Sequence, residues 1–203
     1  MIFSRLFGSP AVARCATVAL AGLFVLLLTA CGPHARLSIT ATDASATLRP
    51  SISTATYTYE DENTVHIYLS DIPTDRLREP WADGSQRPIG QITHIHMFLR
   101  PQPGRTPIDP NASNASIRHI VLAPDGATGL YAGGGFLLPG NSAASGKFSG
   151  SIAAGTLVLD AASDNFNDAL GAARLRTSLE LRQDDALASA IARRMNEAAR
   201  TIR

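Results

Sequence analysis

Lysine is almost missing from this chain. Of 18 basic residues only Lys147 is a lysine, a bias that reflects base composition before chemistry. An excess of either charge is missing too, since 17 acids leave a formal net charge of +1. That excludes the basic field on which nucleic-acid binding rests, so no nucleic-acid partner is expected. Cysteine occurs only as Cys15 and Cys31. Everything after Cys31 must fold without an internal disulfide or a cysteine metal site. Disorder is excluded by composition, with 45% hydrophobic and 17% charged residues.

Acids are absent from the first thirty residues, which hold Arg5 and Arg14. Residues 16–28 carry no charge, and Thr29, Ala30 and Cys31 follow. A positive start, an apolar stretch and small residues at its end mark a secretory signal. The uncharged run from Cys15 to Ala30 is 16 residues, whereas a membrane-spanning helix needs about 20. Leu28-Thr29-Ala30-Cys31 resembles the bacterial lipobox. The resemblance covers four residues and their upstream context, and it implies a lipoprotein precursor of the signal peptidase II class. It implies lipid on the Cys31 thiol, cleavage before Cys31 and acylation of the new amine, which includes palmitate-type chains. A thiol is needed there because sulfur is the nucleophile for the thioether. Two or more acyl chains give stable anchoring, at about 0.8 kcal/mol per buried CH₂. The expected location is a membrane surface outside the cytoplasm. In a two-membrane host, Gly32 rather than Asp after the cysteine favours the outer membrane.

The organisation expected is a signal over 1–30, a lipidated end and short tether over 31–36, and one β-rich domain over 37–203. Setting aside Arg5 and Arg14 leaves 16 basic residues against 17 acids, a net of −1. The remaining 173 of 203 residues suffice for one core. Leu37–Thr40 alternates as an opening strand. Residues 55–60 and 64–69 alternate around Asp61-Glu62-Asn63, which reads as a hairpin. Residues 71–90 read as loop. Residues 91–100 alternate with Ile92, His94, His96 and Phe98 on one face, and Thr93, Ile95, Met97 and Leu99 on the other. Residues 117–122 form another strand, and Ala123-Pro124-Asp125-Gly126 a turn. Gly133-Gly134-Gly135 reads as a flexible turn or bulge. It lacks phosphate-loop spacing, with no Lys-Ser/Thr pair after it. Strands are expected over 147–159, broken near Gly155, and over 173–182. A helical turn is expected at 165–170. At the end, Leu187, Ile191, Met195, Ala198 and Ile202 recur at helical spacing, behind Asp184 and Asp185. That predicts an amphipathic helix over about 184–202, docked by its apolar stripe. The fold class is mainly β: an antiparallel sandwich or open barrel with one C-terminal helix.

The sharpest chemical candidate is His94-x-His96. Residues two apart on a strand share a face, so both imidazoles can reach one metal ion. A third ligand must come from elsewhere, with His66 and His119 the natural candidates. Against that stands the plainer reading that these are ordinary face or core histidines. No cofactor is expected. No Gly-x-Ser-x-Gly elbow or triad is nominated. Glu60, Asp61 and Glu62 read as a solvated turn. Asp160, Asp164 and Asp168 are a lesser Ca²⁺ candidate without EF-hand spacing. Asn111-Ala112-Ser113 and Asn114-Ala115-Ser116 match the glycosylation sequon by accident of a Ser/Asn loop. Tyr57, Tyr59, Tyr68 and Trp81 either line a groove or simply pack. The reading favoured is a non-enzymatic, lipid-anchored envelope protein with a binding or structural role. The rival is an extracytoplasmic metal-dependent hydrolase using the His-x-His strand.

Overall fold

In the computed structural model, residues 34–202 are described, except 82–86, 103, 105, 107–111 and 141–145. The signal region and Cys31 lie outside the described residues. Ten strands form one antiparallel sheet: β1 (His34–Ala41), β2 (Thr47–Leu48), β3 (Thr54–Tyr59), β4 (Val65–Ser70), β5 (Gly90–Met97), β6 (Ala115–Leu122), β7 (Thr128–Gly135), β8 (Leu137–Pro139), β9 (Lys147–Ala162) and β10 (Ala173–Arg182). Their order is β2-β1-β10-β9-β7-β6-β5-β4-β3, with β8 also on β9. Among the described residues two helices complete the fold, α1 (Thr74–Arg78) and α2 (Asp185–Ala199).

The sheet curls into a half-barrel, so the open-barrel alternative describes it. Curling brings β3 to the far end of β10. Tyr57 bridges to Gln183, and the Thr56 hydroxyl donates to the Arg182 carbonyl at 3.1 Å. The concave side is a core of its own, with Ile39, Tyr57, Ile67, Ile95, Ile117 and Phe148 buried in it. Alternation explains this side: in β10 each second residue is buried and each one between is exposed.

The convex side holds a second core under α2. Tyr68, Ile92, Ile120 and Leu130 meet Leu187, Ile191 and Met195 there. The five stripe residues are all buried, Ile202 being the most exposed at 9%. Asp184 caps the helix, accepting from the Leu187 N–H at 2.9 Å. The docked helix is therefore part of the domain. Truncation after Arg182 is expected to abolish cooperative thermal unfolding, because it strips the cover from an apolar sheet face. A truncated chain with a sharp, unshifted transition would show the helix to be dispensable.

Several details depart from expectation. β1 starts at His34, inside the stretch expected as a tether, because its backbone pairs with β10 from the His34–Glu180 position onward. The 71–90 loop contains α1, whose Leu77 is buried. Residues 165–170 form an irregular segment, a turn at 164–165 and bends at 169–170, rather than a helical turn. Asp168 organises them, accepting from the N–H groups of Leu170 and Gly171 and so competing with a helical bond pattern. Gly133–Gly135 is strand, not turn. The expected break near Gly155 is an irregularity in a continuous β9, opposite Leu175–Thr177.

Candidate functional site

The site grows from the β3–β4 hairpin and its neighbour β5. Antiparallel register puts His66 directly opposite His96, and Tyr68 opposite His94. All four side chains share one face of the sheet, the convex one, by strand alternation. Their rings form a stack. His66 and His96 lie 4.5 Å apart with planes 2° from parallel. Tyr68 and His94 lie 4.6 Å apart, and His66 and His94 5.3 Å apart. Phe98 stands edge-on to His96 at 6.3 Å.

Glu60 closes the cluster. It is two residues past Thr58, the partner of His66, so its carboxylate points the same way. The turn itself is held by Asp61, which accepts from the N–H groups of Asn63 and Thr64. Glu60 is thereby left for the histidines, its Oε2 lying 3.3 Å from His66 Nε2. Glu60, His66 and His96 each bring one ligand atom to within 4.8 Å of the others. Behind them, His66 Nδ1 lies 3.1 Å from His94 Nε2.

Burial is the main force on His94 and His96. It pushes His94 down to about 3, helped by the nearby His66, His96 and Arg118 charges. It also lowers His96, where His66 adds to the effect and Glu60 opposes it. His94 is therefore a neutral ring at any ordinary pH. His96 Nε2 is buried with no hydrogen-bond partner.

The structure thus brings three of the four singled-out histidines together and leaves out the fourth. His119 faces the concave core, fully buried. Its Nδ1 bonds the Thr93 hydroxyl at 2.8 Å, and Thr93 lies on the opposite face from His94. The missed member is Glu60, read as a solvated turn acid. Counting the hairpin register from His66 back to Thr58 and on to Glu60 would have found it.

Other candidates are spent on structure. Asp168 accepts from the Tyr131 hydroxyl at 2.6 Å. Asn114 is buried, its amide donating to the Leu99 and Leu137 carbonyls at 3.0 Å each; Asn111 lies outside the described residues. Tyr57 is in the concave core and Tyr68 in the convex one, so the tyrosines line no common groove. Trp81 donates to the Arg76 carbonyl and packs on the Arg194 guanidinium at 5.8 Å. At one end of the half-barrel, Leu48, Val121, Tyr131, Phe166 and Leu170 line an apolar cavity of about 570 Å³.

No family model matches the chain, and no curated protein or solved structure matches it. What fold and site define is a curled antiparallel half-barrel carrying a carboxylate–histidine cluster on its convex face.

Proposed function

We propose that this chain is the precursor of a lipid-anchored envelope protein, whose β-rich domain works outside the cytoplasm as a binding module. The observation that carries the reading is the position of Cys31 in the sequence. Pro33–Arg203 is a compact unit of its own, and Cys31 stands just ahead of it. Cleavage before Cys31 would leave that unit whole. Lipid on Cys31 would lie within about 10 Å of His34, the reach of three extended residues.

The adjoining end of the sheet suits a membrane. A surface groove there is lined by His34, Arg36, Leu138 and Pro139 together with Glu180 and three serines. Leu138 is 41% exposed, and Phe98 and Leu99 are 48% and 50% exposed. Asn114 ties Leu99 to Leu137 through its amide, holding these apolar side chains at one end. Apolar surface beside a lipid anchor adds to membrane affinity.

Replacing Cys31 with Ala is expected to abolish lipid labelling and to move the protein from the membrane to the soluble fraction. Its thermal unfolding should not change. Persistent membrane attachment after removal of the signal would contradict the anchor. The convergence of His66, His94 and His96 favours a second reading, a metal-dependent hydrolase. That reading needs an open coordination position and hydrolytic turnover lost on His96→Ala.

A further inference from the structure

We propose that Glu60, His66 and His96 form a binding site for one divalent transition-metal ion, with His94 as the residue that positions His66. The inference deepens the binding reading above by naming the ligand, and it stands on geometry independent of the anchor.

The donor set selects the metal class. Two imidazoles and one carboxylate suit Zn²⁺, Co²⁺, Ni²⁺ or Cu²⁺. They do not suit Ca²⁺, which takes six or more oxygens. Spacing agrees. Tetrahedral Zn²⁺ with bonds near 2.0–2.1 Å sets its ligand atoms about 3.3 Å apart. Glu60 Oε2 and His66 Nε2 already lie 3.3 Å apart. The whole set lies within 4.8 Å, and closing it requires the stacked His66 and His96 rings to turn out of parallel so that both ring-plane lone pairs meet at the ion. The two histidines sit on paired strands in fixed register, while Glu60 is exposed.

The hydrogen bond behind the site supplies the orientation. A metal-ligating histidine ordinarily donates its second ring N–H to a fixed acceptor. Here His66 Nδ1 faces His94 Nε2 at 3.1 Å. His94 is pinned by its stack on Tyr68, and in its Nδ1–H tautomer its Nε2 accepts a hydrogen bond. With the proton on His66 Nδ1, Nε2 presents its lone pair toward Glu60, where the ion would sit.

A metal-free arrangement exists, and its weak point is specific. His94 Nε2–H could donate to His66 Nδ1, and His66 Nε2–H to Glu60. That chain uses nothing of His96, whose Nε2 stays buried without a partner. An unpaired buried polar group is destabilising. Coordination brings the His96 ring into the network. Three protein ligands leave a fourth position for water or an exchangeable anion.

The test uses mature, untagged protein stripped with a chelator, then titrated calorimetrically with Zn²⁺ and, for its visible spectrum, with Co²⁺. The titrations are repeated in Cys31→Ala, so that the lone thiol is out of the count. One ion per chain is expected in both, with a tetrahedral-type Co²⁺ spectrum and no Ca²⁺ binding. His66→Ala and His96→Ala should each weaken binding at least about 100-fold, and Glu60→Gln about 10-fold, with unchanged circular dichroism. His94→Gln should keep one ion per chain, weaken it about 10–100-fold, and alter the Co²⁺ spectrum. Absence of saturable binding, or equal affinity in His96→Ala, would overturn the site. Wild-type affinity and spectrum in His94→Gln would overturn the positioning role. Lipid labelling of Cys31 is scored separately, so a failed anchor and a failed metal site give different results.

Discussion

Replacing Gly133 with alanine is expected to destabilise the domain by about 3 kcal/mol, the upper part of the usual overpacking range. For a domain of this size that lowers the melting temperature by roughly 6–12 °C. A Cβ there would lie 1.8 Å from the Thr156 carbonyl oxygen and 2.7 Å from its carbon. Both atoms are backbone of β9, the strand paired to β7 at this point. A side chain can rotate away from such a contact, but a paired strand cannot without losing its hydrogen bonds. Gly129 makes the contrast. A Cβ there would meet the Phe166 ring at 2.2 Å, and that ring is a half-buried side chain able to move. Gly129→Ala should therefore cost less than Gly133→Ala. Urea unfolding of the two variants beside the wild type decides it. Equal, small losses would mean that β9 yields as easily as Phe166.

The same contacts explain why a glycine run that reads as a turn or bulge forms strand instead. Gly135 approaches Gly155 so closely that a Cβ would lie 3.0 Å from its Cα. Glycines on both strands let β7 and β9 come together where the sheet curls. Composition alone cannot separate this use of glycine from a turn, because both need the side chain to be missing. Elements with a strong period were legible. The 55–69 hairpin, the strand 173–182 and the stripe from Leu187 to Ala198 all sit where alternation or helical spacing put them, while Ile202 lies past the end of α2, which stops at Ala199. Local hydrogen bonds, such as those gathered by Asp168, were not legible, since they depend on Tyr131 arriving from a distant strand.

The candidate site divides in the same way. His94 and His96 share a face by strand geometry alone, which a sequence reveals. His66 joins them because β4 pairs with β5, and sequence offered that only as one option beside His119. The choice between the two was made by parity. Thr93, not His94, faces His119 across the β5–β6 pair, so His119 falls on the other side of the sheet. Glu60 needed the hairpin register to be carried past the end of the strand. The four histidines singled out thus separate into a convex-face group of His66, His94 and His96 and one concave-face member, His119, set in the core.

That core histidine gives the second large effect, a loss of stability in mild acid. His119 is fully buried, between Thr93 and the ring of Tyr131 at 6.1 Å. Burial pushes its pKa down from 6.5 to about 4. In the unfolded chain it takes up a proton near 6.5, whereas in the folded chain it resists until about 4. Stability from this residue is therefore complete above pH 6.5. It falls as the pH drops from 6.5 toward 4, by about 1.4 kcal/mol per unit and about 3 kcal/mol in all. The effect is isolated by comparing the wild type with His119→Gln, which has no proton to take up and retains a polar group for Thr93. Other titrating groups, including the lowered His94, are common to both proteins and cancel in the difference. Urea unfolding at pH 7 and pH 4.5 should show the wild type losing about 2–3 kcal/mol more than the variant. The variant starts less stable at pH 7 if the glutamine packs poorly, but only the change between the two pH values matters. Parallel losses in the two proteins would mean that the buried imidazole is protonated in the folded state as readily as in water.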